Sequence, residues 1–159
     1  MIEGVKVKQL TVHRDIPDLD QPGIEPGILM EVVRADEDLL RKFGQSTFTI
    51  AHRGTIKGFH SHQAQDDLWF VATGRAVVVL HDLREGSPTR GQTDTIFAGR
   101  DDYKVILIPA LVAHGYKVLS DEPVMLFYHV TEPYSAAMPD EQPLAWNDPQ
   151  IGFDWSKYV

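Results

Sequence analysis

The sequence contains no cysteine among its 159 residues. This absence excludes disulfide bonds, thiolate catalysis and zinc sites with sulfur ligands, and it makes a cytoplasmic location the default expectation. Long apolar runs are missing as well, and none approaches the roughly 20 residues that a membrane-spanning helix needs. The opening residues, MIEGVKVKQL, lack the basic and apolar regions of a secretory signal peptide, so we expect no targeting segment there.

Positive charge is also scarce. The 15 lysine and arginine residues stand against 23 acidic ones, which gives a formal net charge of −8 at pH 7. Binding to DNA or RNA needs a contiguous cationic surface, so we expect no nucleic-acid partner, and the lack of apolar runs argues against a membrane partner. A phosphorylated small molecule is compatible with this composition, because a pocket can be locally positive inside an acidic protein.

What the sequence does contain is a series of short runs rich in β-branched and aromatic residues, separated by glycine, proline or aspartate. Such runs predict strands over residues 5–12, 28–33, 46–52, 55–60, 67–72, 76–82, 93–97, 105–108, 114–119 and 124–130. Their number and spacing indicate an all-β sandwich or barrel, in a single domain over residues 1–159. We also expect one short surface helix over residues 36–44 and an irregular tail from about residue 131.

Two histidines, His60 and His62, are placed to project together, because residues i and i+2 of a strand share a face. The plain alternative is that they line a solvated sheet face. Their surroundings resemble the first cupin motif, with aspartate where glutamate is usual, in the series Gly54, His60, His62, Asp67 and Gly74. The second cupin motif is resembled by Gly99, Pro109 and His114, although Leu111 stands where a glycine is usual. The resemblance implies a cupin fold, that is, a jelly-roll or double-stranded β-helix barrel.

The same resemblance implies a ligand set for a metal ion. In a metal-binding cupin, His60, His62, Asp67 and His114 would be the three-histidine, one-carboxylate set, with Asp66 competing with Asp67. Nitrogen and oxygen ligands of this kind suit Fe, Mn, Ni, Co or Zn.

Several segments further resemble one subgroup, the dTDP-4-dehydrorhamnose 3,5-epimerase family of nucleotide-sugar enzymes. In family order over about 100 residues, they are KGFH (57–60), DLREGSPTRG (82–91), IP (108–109), AHG (113–115), LFY (126–128), WNDP (146–149) and IGFDW (151–155). The resemblance implies a nucleotide-sugar ligand, no cofactor, a homodimer and a place in polysaccharide or deoxysugar synthesis.

The chemistry that this resemblance implies is proton transfer beside a ketone. The family's substrate is a 6-deoxy-4-ketohexose on dTDP, whose C3 and C5 protons are removed by a base and returned by a tyrosine on the other face of the ring. By resemblance, His60 is the base and Tyr128 the acid, and histidine's ordinary pKa near 6.5 suits the role. Lys57 stands where an arginine binds the diphosphate, His114 matches a pocket histidine and Tyr134 an aromatic residue beside the nucleotide.

The sequence departs from the family pattern at three positions. Asp67 stands where the family has the basic residue that steadies the C4 oxyanion, and Pro26-Gly27 stand where it has Arg-Gly. The carboxylate that pairs with the base comes from a C-terminal extension in the family, so we expect it to be missing here. A divalent ion would replace the lost cation, but a metal-ligating His60 cannot also be the free base.

Three hypotheses follow from these residues. The first is a nucleotide-sugar epimerase or keto-sugar isomerase that works by proton abstraction. The second is a metal-dependent cupin enzyme, such as a dioxygenase or an isomerase. The third is a non-catalytic cupin that binds sugars.

Overall fold

The computed structural model describes residues 1–16 and 23–159. The strands are β1 Lys6–Gln9, β2 His13–Arg14, β3 Ile28–Leu29, β4 Gln45–Ala51, β5 Ile56–His62, β6 Asp67–Thr73, β7 Arg75–Asp82, β8 Thr93–Gly99, β9 Lys104–Ile108, β10 Val112–Val118, β11 Val124–Val130 and β12 Glu141–Pro143. A short 3-10 helix covers Trp155–Lys157. Over the described ranges, no helix is long and apolar enough to cross a bilayer.

Ten of the strands form two five-stranded antiparallel sheets. Their orders are β1-β9-β6-β11-β4 and β12-β5-β10-β7-β8, and β2 pairs separately with β3. Alternation along β7 shows how the core is made, since Val78 and Leu80 join the central cluster with Trp69 and Leu126 of the other sheet. Successive strand residues point to opposite faces, so the two sheets enclose the main core between them.

The C-terminal tail covers the outer face of the second sheet. Val77 and Val79 point outward from β7 and pack with Phe59, Ile151 and Trp155. This contact fixes the path of the tail along β5, which matters for the site described below.

The predicted strands are confirmed where the signal was strongest. All eight that were predicted between residues 46 and 130 are present, each boundary within two residues of its predicted place. The strands predicted at 5–12 and 28–33 are shorter, at Lys6–Gln9 and Ile28–Leu29. Residues 17–22, between them, lie outside the described part of the chain.

The helix predicted over residues 36–44 is wrong. These residues form turns and bends instead. Asp36 binds the guanidinium of Arg34 at 2.7 Å rather than capping a helix. Leu39 and Leu40, adjacent in sequence, both pack against the apolar cluster on the outer face of the first sheet. Tertiary packing of two consecutive leucines therefore overrides the local capping signal.

Candidate active site

A cavity of about 440 Å³ opens between the sheets and collects the predicted site residues. They come from β5, β6, β10, β11 and the segment after β11. Those that line the cavity are Lys57, His60, His62, Asp67, His114, Tyr128 and Tyr134.

Lys57 and His60 face the same cavity, although they are three residues apart, because β5 is irregular at Gly58. Gly58 has a φ of 137°, which favours glycine. A Cβ there would lie 2.6 Å from the Cα of Gly115 on β10, so the two backbones approach more closely than a side chain permits. The irregularity turns Phe59 outward, into the cluster beneath the tail, and leaves the lysine and the histidine on the cavity side.

His60 has a carboxylate partner. Its Nδ1 contacts Oε1 of Glu141, the first residue of β12, and both side chains are partly exposed. The strand pairing continues in reciprocal backbone hydrogen bonds between Phe59 and Leu144, at 3.1 and 2.8 Å. A carboxylate can only accept, so this contact favours the tautomer of the neutral imidazole with the hydrogen on Nδ1, and Nε2 is then the nitrogen able to take a proton. The expectation that His60 has no carboxylate partner in this chain is therefore wrong.

Sequence reasoning missed Glu141 because β12 has no signal of its own. The strand is only three residues long and exposed throughout. It forms because the tail is fixed at both ends. The Asp140 carboxylate accepts backbone N–H groups of Ala64 and Gln65 at 3.1 and 3.0 Å, and Trp155 Nε1 donates to the carbonyl of Trp146 at 2.7 Å. The WNDP and IGFDW segments indicated an ordered tail but not the strand beside it.

A second group consists of His62, Asp67 and His114, whose ligand atoms all lie within 4.8 Å of one another. Nε2 of His62 lies 3.8 Å from Oδ1 of Asp67, and Nε2 of His114 lies 3.7 Å from Oδ2. His60, the fourth predicted ligand, is not part of this group. Asp66 is directed elsewhere, to the guanidinium of Arg41 at 2.7 Å.

The orientation of His114 is set by its surroundings. Nδ1 donates to the carbonyl of Val112 at 2.9 Å, and the indole of Trp69 packs edge-on against the ring at 5.1 Å. Burial lowers the pKa of His114, and this outweighs the raising effect of Asp67. The imidazole is therefore neutral at pH 7, with its Nε2 lone pair directed towards Asp67.

The hydroxyl of Tyr128, which also lines the cavity, is suited to donate a proton rather than to accept one. Burial raises the pKa of its hydroxyl above the ordinary value, despite a hydrogen bond with Thr47, and the nearby charges of Asp67 and Glu141 raise the pKa further. The hydroxyl is therefore fully protonated at pH 7 and is able to donate a proton.

Positive charge in the cavity is limited. Lys57 is the one lysine or arginine among its described lining residues, against the carboxylates of Asp67, Asp140 and Glu141. Its ammonium group donates to the hydroxyl of Thr49 at 2.6 Å. Tyr134 lies at the mouth of the cavity and is 67% exposed, so its ring is available to a ligand.

Comparison with known proteins adds a family relationship to this geometry. The family model described as dTDP-4-dehydrorhamnose 3,5-epimerase matches residues 27–159. The spore coat polysaccharide biosynthesis protein SpsL of Bacillus subtilis (strain 168) is 47% identical over 156 residues, 98% of this chain and 97% of that protein. The probable low-salt glycan biosynthesis epimerase Agl13 of Haloferax volcanii is 33% identical over 160 residues, 99% of this chain and 97% of that protein.

Solved structures give the same result. The dTDP sugar isomerase of Desulfovibrio desulfuricans G20 superposes with a TM-score of 0.83 at 26% identity, covering 98% of this chain and 92% of that one. The dTDP-6-deoxy-D-glucose-3,5-epimerase of Legionella pneumophila, in complex with dTDP-4-keto-L-rhamnose, superposes with a TM-score of 0.79 at 28% identity. It covers 97% of this chain and 79% of that one.

Proposed function

The chain belongs to the dTDP-4-dehydrorhamnose 3,5-epimerase family, and we propose that it inverts a carbon next to the ketone of a nucleotide-linked 4-keto-6-deoxyhexose. A sugar epimerase is an isomerase, so membership of this family favours an enzyme over the alternative of a non-catalytic sugar-binding protein. The observation that carries the proposed chemistry is one cavity lined by a histidine with a carboxylate behind it and by a protonated tyrosine.

In the proposed reaction, Nε2 of His60 takes the proton from a carbon α to the C4 ketone. The C–H electrons move onto the carbonyl oxygen and form an enolate, and the imidazolium is stabilised by Glu141. The hydroxyl of Tyr128 then returns a proton to the same carbon from the other face, which inverts it. One C–H bond breaks and one forms on the substrate, so the proton transfers consume no redox cofactor.

Lys57 and Tyr134 are proposed to hold the nucleotide. Lys57 is the cationic lining residue suited to a diphosphate, and Tyr134 offers an exposed ring at the mouth for stacking on a base. His114 is buried in the wall of the same cavity and is proposed to shape the pocket beside the sugar. The dTDP-4-keto-L-rhamnose in the Legionella complex supports a ligand of this class, and the name of the Bacillus relative supports a place in polysaccharide biosynthesis.

The exchange of substrate protons with solvent tests the proposal. Incubation of the protein with dTDP-4-keto-6-deoxyglucose in D2O should place deuterium at C3, C5 or both, as seen by proton NMR. The variant His60→Gln should lower the exchange rate by roughly 100-fold or more, the range for a lost general base. Wild-type protein that binds this sugar and leaves both carbons unlabelled would contradict the proposal.

We further propose a homodimer with the cupin jelly-roll architecture. The edge strand β4 exposes Phe48 and Ile50, and the ring of Phe48 packs against that of Phe127 on β11, with centroids 4.8 Å apart. An apolar patch on an edge strand is a typical interface, and a second copy of the chain would cover it. Phe48→Asp should convert a dimer into a monomer in light scattering, whereas a wild-type monomer would contradict this assignment.

The cytoplasmic location stays a prediction.

A further inference from the structure

We propose that His62, Asp67 and His114 form a site for one divalent transition-metal ion, next to the His60–Glu141 pair but separate from it. The ligand atoms already lie close together, since both histidine Nε2 atoms are within 3.8 Å of an oxygen of Asp67. Two ligands bound at about 2.1 Å to one ion lie at most about 4.2 Å apart. The two distances to Asp67 therefore fit a shared ion, and the full set of ligand atoms, which lie within 4.8 Å of one another, would move slightly closer on binding.

His114 is held in the form that binds metals. Its Nδ1–H donates to the carbonyl of Val112 at 2.9 Å, which leaves the Nε2 lone pair facing Asp67. Metal-binding histidines commonly use the second nitrogen in this way, and such a contact fixes both the tautomer and the ring orientation.

His62 has polar atoms that the described protein atoms do not satisfy. Its Nδ1 is buried and has no hydrogen-bond partner there, and its Nε2 lies 3.8 Å from Asp67, beyond hydrogen-bond distance. The ring is stacked on His114 with centroids 5.5 Å apart, so the two imidazoles lie side by side in the wall of the cavity. Nε2 of His62 is therefore available to an ion, while its Nδ1 makes, within the described ranges, no contact like the one that Nδ1 of His114 makes with Val112.

Among the described residues, Asp67 accepts hydrogen bonds from two neutral donors. Oδ1 accepts from the amide of Gln65 at 2.7 Å and Oδ2 from the indole of Trp69 at 3.0 Å. Asp67 is 3% exposed, and no lysine or arginine within residues 1–16 and 23–159 forms an ion pair with it. A carboxylate has about four lone-pair positions, so two hydrogen bonds leave capacity for an ion. Mixed imidazole and carboxylate ligands suit Zn, Mn, Fe, Co or Ni.

Because His60 is not one of the three ligands, it does not have to be both a metal ligand and the free base, which was the conflict noted from the sequence. Because Nδ1 of His60 contacts Glu141 and the ligand group does not include His60, one site is able to hold an ion while the other holds a proton. An ion bound there would supply positive charge in a cavity where Asp67 stands at the position of the family's basic residue. This part of the inference rests on the proposed function, whereas metal binding itself does not.

Metal binding by chelator-treated protein tests the site. Titration with Co²⁺, followed by calorimetry and by the visible absorption of the bound ion, should show one equivalent bound. His62→Gln should weaken the affinity at least about tenfold, since loss of even an outer-shell partner costs that much. His60→Gln is the matched control, two residues away, and should bind Co²⁺ as the wild type does. Zn²⁺ and Mn²⁺ should compete for the same site.

His62 is chosen for the variant because its side chain is the most accessible of the three, at 12% exposed against 4% for each of the other two. An unchanged near-ultraviolet circular dichroism spectrum will show that the variant is folded. Absence of saturable binding by the wild type, or equal weakening in the His60 and His62 variants, would overturn the site. Retained Co²⁺ binding together with absent deuterium exchange would overturn the proposed reaction and support the site.

Discussion

Two buried aspartates, Asp82 and Asp67, differ in what surrounds them. Asp82, at the end of β7, is 1% exposed and accepts from the guanidinium of Arg84 at 2.8 Å, the hydroxyl of Ser87 at 2.7 Å and that of Thr89 at 2.6 Å. Asp67, at the start of β6, is 3% exposed, and its donors in the described part of the chain are the neutral groups of Gln65 and Trp69. Both aspartates are buried, and of the two it is Asp82 that has a cationic hydrogen-bond donor among those residues.

The difference indicates which carboxylate is structural. A buried charge is stable when a paired cation and hydrogen bonds compensate its desolvation. Asp82 has these in one loop, the DLREGSPT segment, and it is not among the residues that line the cavity. Asp67 lines the cavity, where the imidazoles of His62 and His114 face it. The charge of Asp82 is therefore compensated by residues of its own loop, whereas Asp67 has lone pairs left for a ligand.

The largest expected effect is the loss of stability when the charge of Asp82 is removed. Asp82→Asn removes the charge that pairs with Arg84, which leaves a partly buried guanidinium uncompensated, so we expect the free energy of unfolding to fall by about 3 kcal/mol. Urea denaturation at pH 7 measures this. Asp121→Asn, which removes an exposed ion pair with Arg53, should stay within about 0.5 kcal/mol of wild type. Equal losses in the two variants would contradict the structural role of Asp82.

A third carboxylate, that of Glu141, differs from both aspartates because it is partly exposed and contacts a histidine. In the proposed reaction Glu141 orients His60 and stabilises its imidazolium, so Glu141→Gln should lower kcat about 10- to 100-fold and leave KM within about twofold. Steady-state kinetics with the keto sugar measure the two constants. The control is Glu85→Gln, on the loop that contains Arg84, where the side chain is 88% exposed. An effect confined to KM would show that Glu141 binds substrate instead.

A smaller effect on stability is expected at the cavity carboxylate. Asp67→Asn keeps the shape of the side chain and one of its two accepted hydrogen bonds, so the free energy of unfolding should fall by only about 1 kcal/mol. The same urea denaturation measures it beside Asp82→Asn. A loss as large as that at Asp82 would mean that Asp67 is a structural charge.

The smallest effect is the pH dependence of stability. The guanidinium of Arg84, with the hydroxyls of Ser87 and Thr89, holds the pKa of Asp82 well below its ordinary value. A group whose pKa is lower in the folded state contributes stability above its unfolded pKa, about 3.9 for aspartate, and loses it as the pH falls. The stability of Asp82→Asn should therefore fall less steeply below about pH 4 than that of the wild type, as measured by urea denaturation. Parallel slopes would contradict the assignment.

The part of the site that lies on strands was predictable from the sequence. Strand periodicity and the two histidine motifs predicted that His60, His62, Asp67 and His114 share one wall, and all four line the cavity. The sequence did not predict which of them group together. The division between the His60–Glu141 pair and the other three depends on β12, which pairs with β5 through contacts distant in sequence.

The helix expected over residues 36–44 failed for a related reason. Its capping and charge pattern is local, while the packing of Leu39 and Leu40 is set by the outer face of the first sheet. Local signals thus predicted the strands of the two sheets, and long-range packing decided the connections and the carboxylate partner of His60.

The central claim is that His60 and Tyr128 act from opposite faces of the sugar. The variant Tyr128→Phe tests it most directly, by NMR of dTDP-4-keto-6-deoxyglucose in D2O. His60 remains, so deuterium should still enter next to the ketone, but the labelled carbon should keep its original configuration, because the proton donor on the far face is gone. Labelled product with inverted configuration at the wild-type rate would contradict the account.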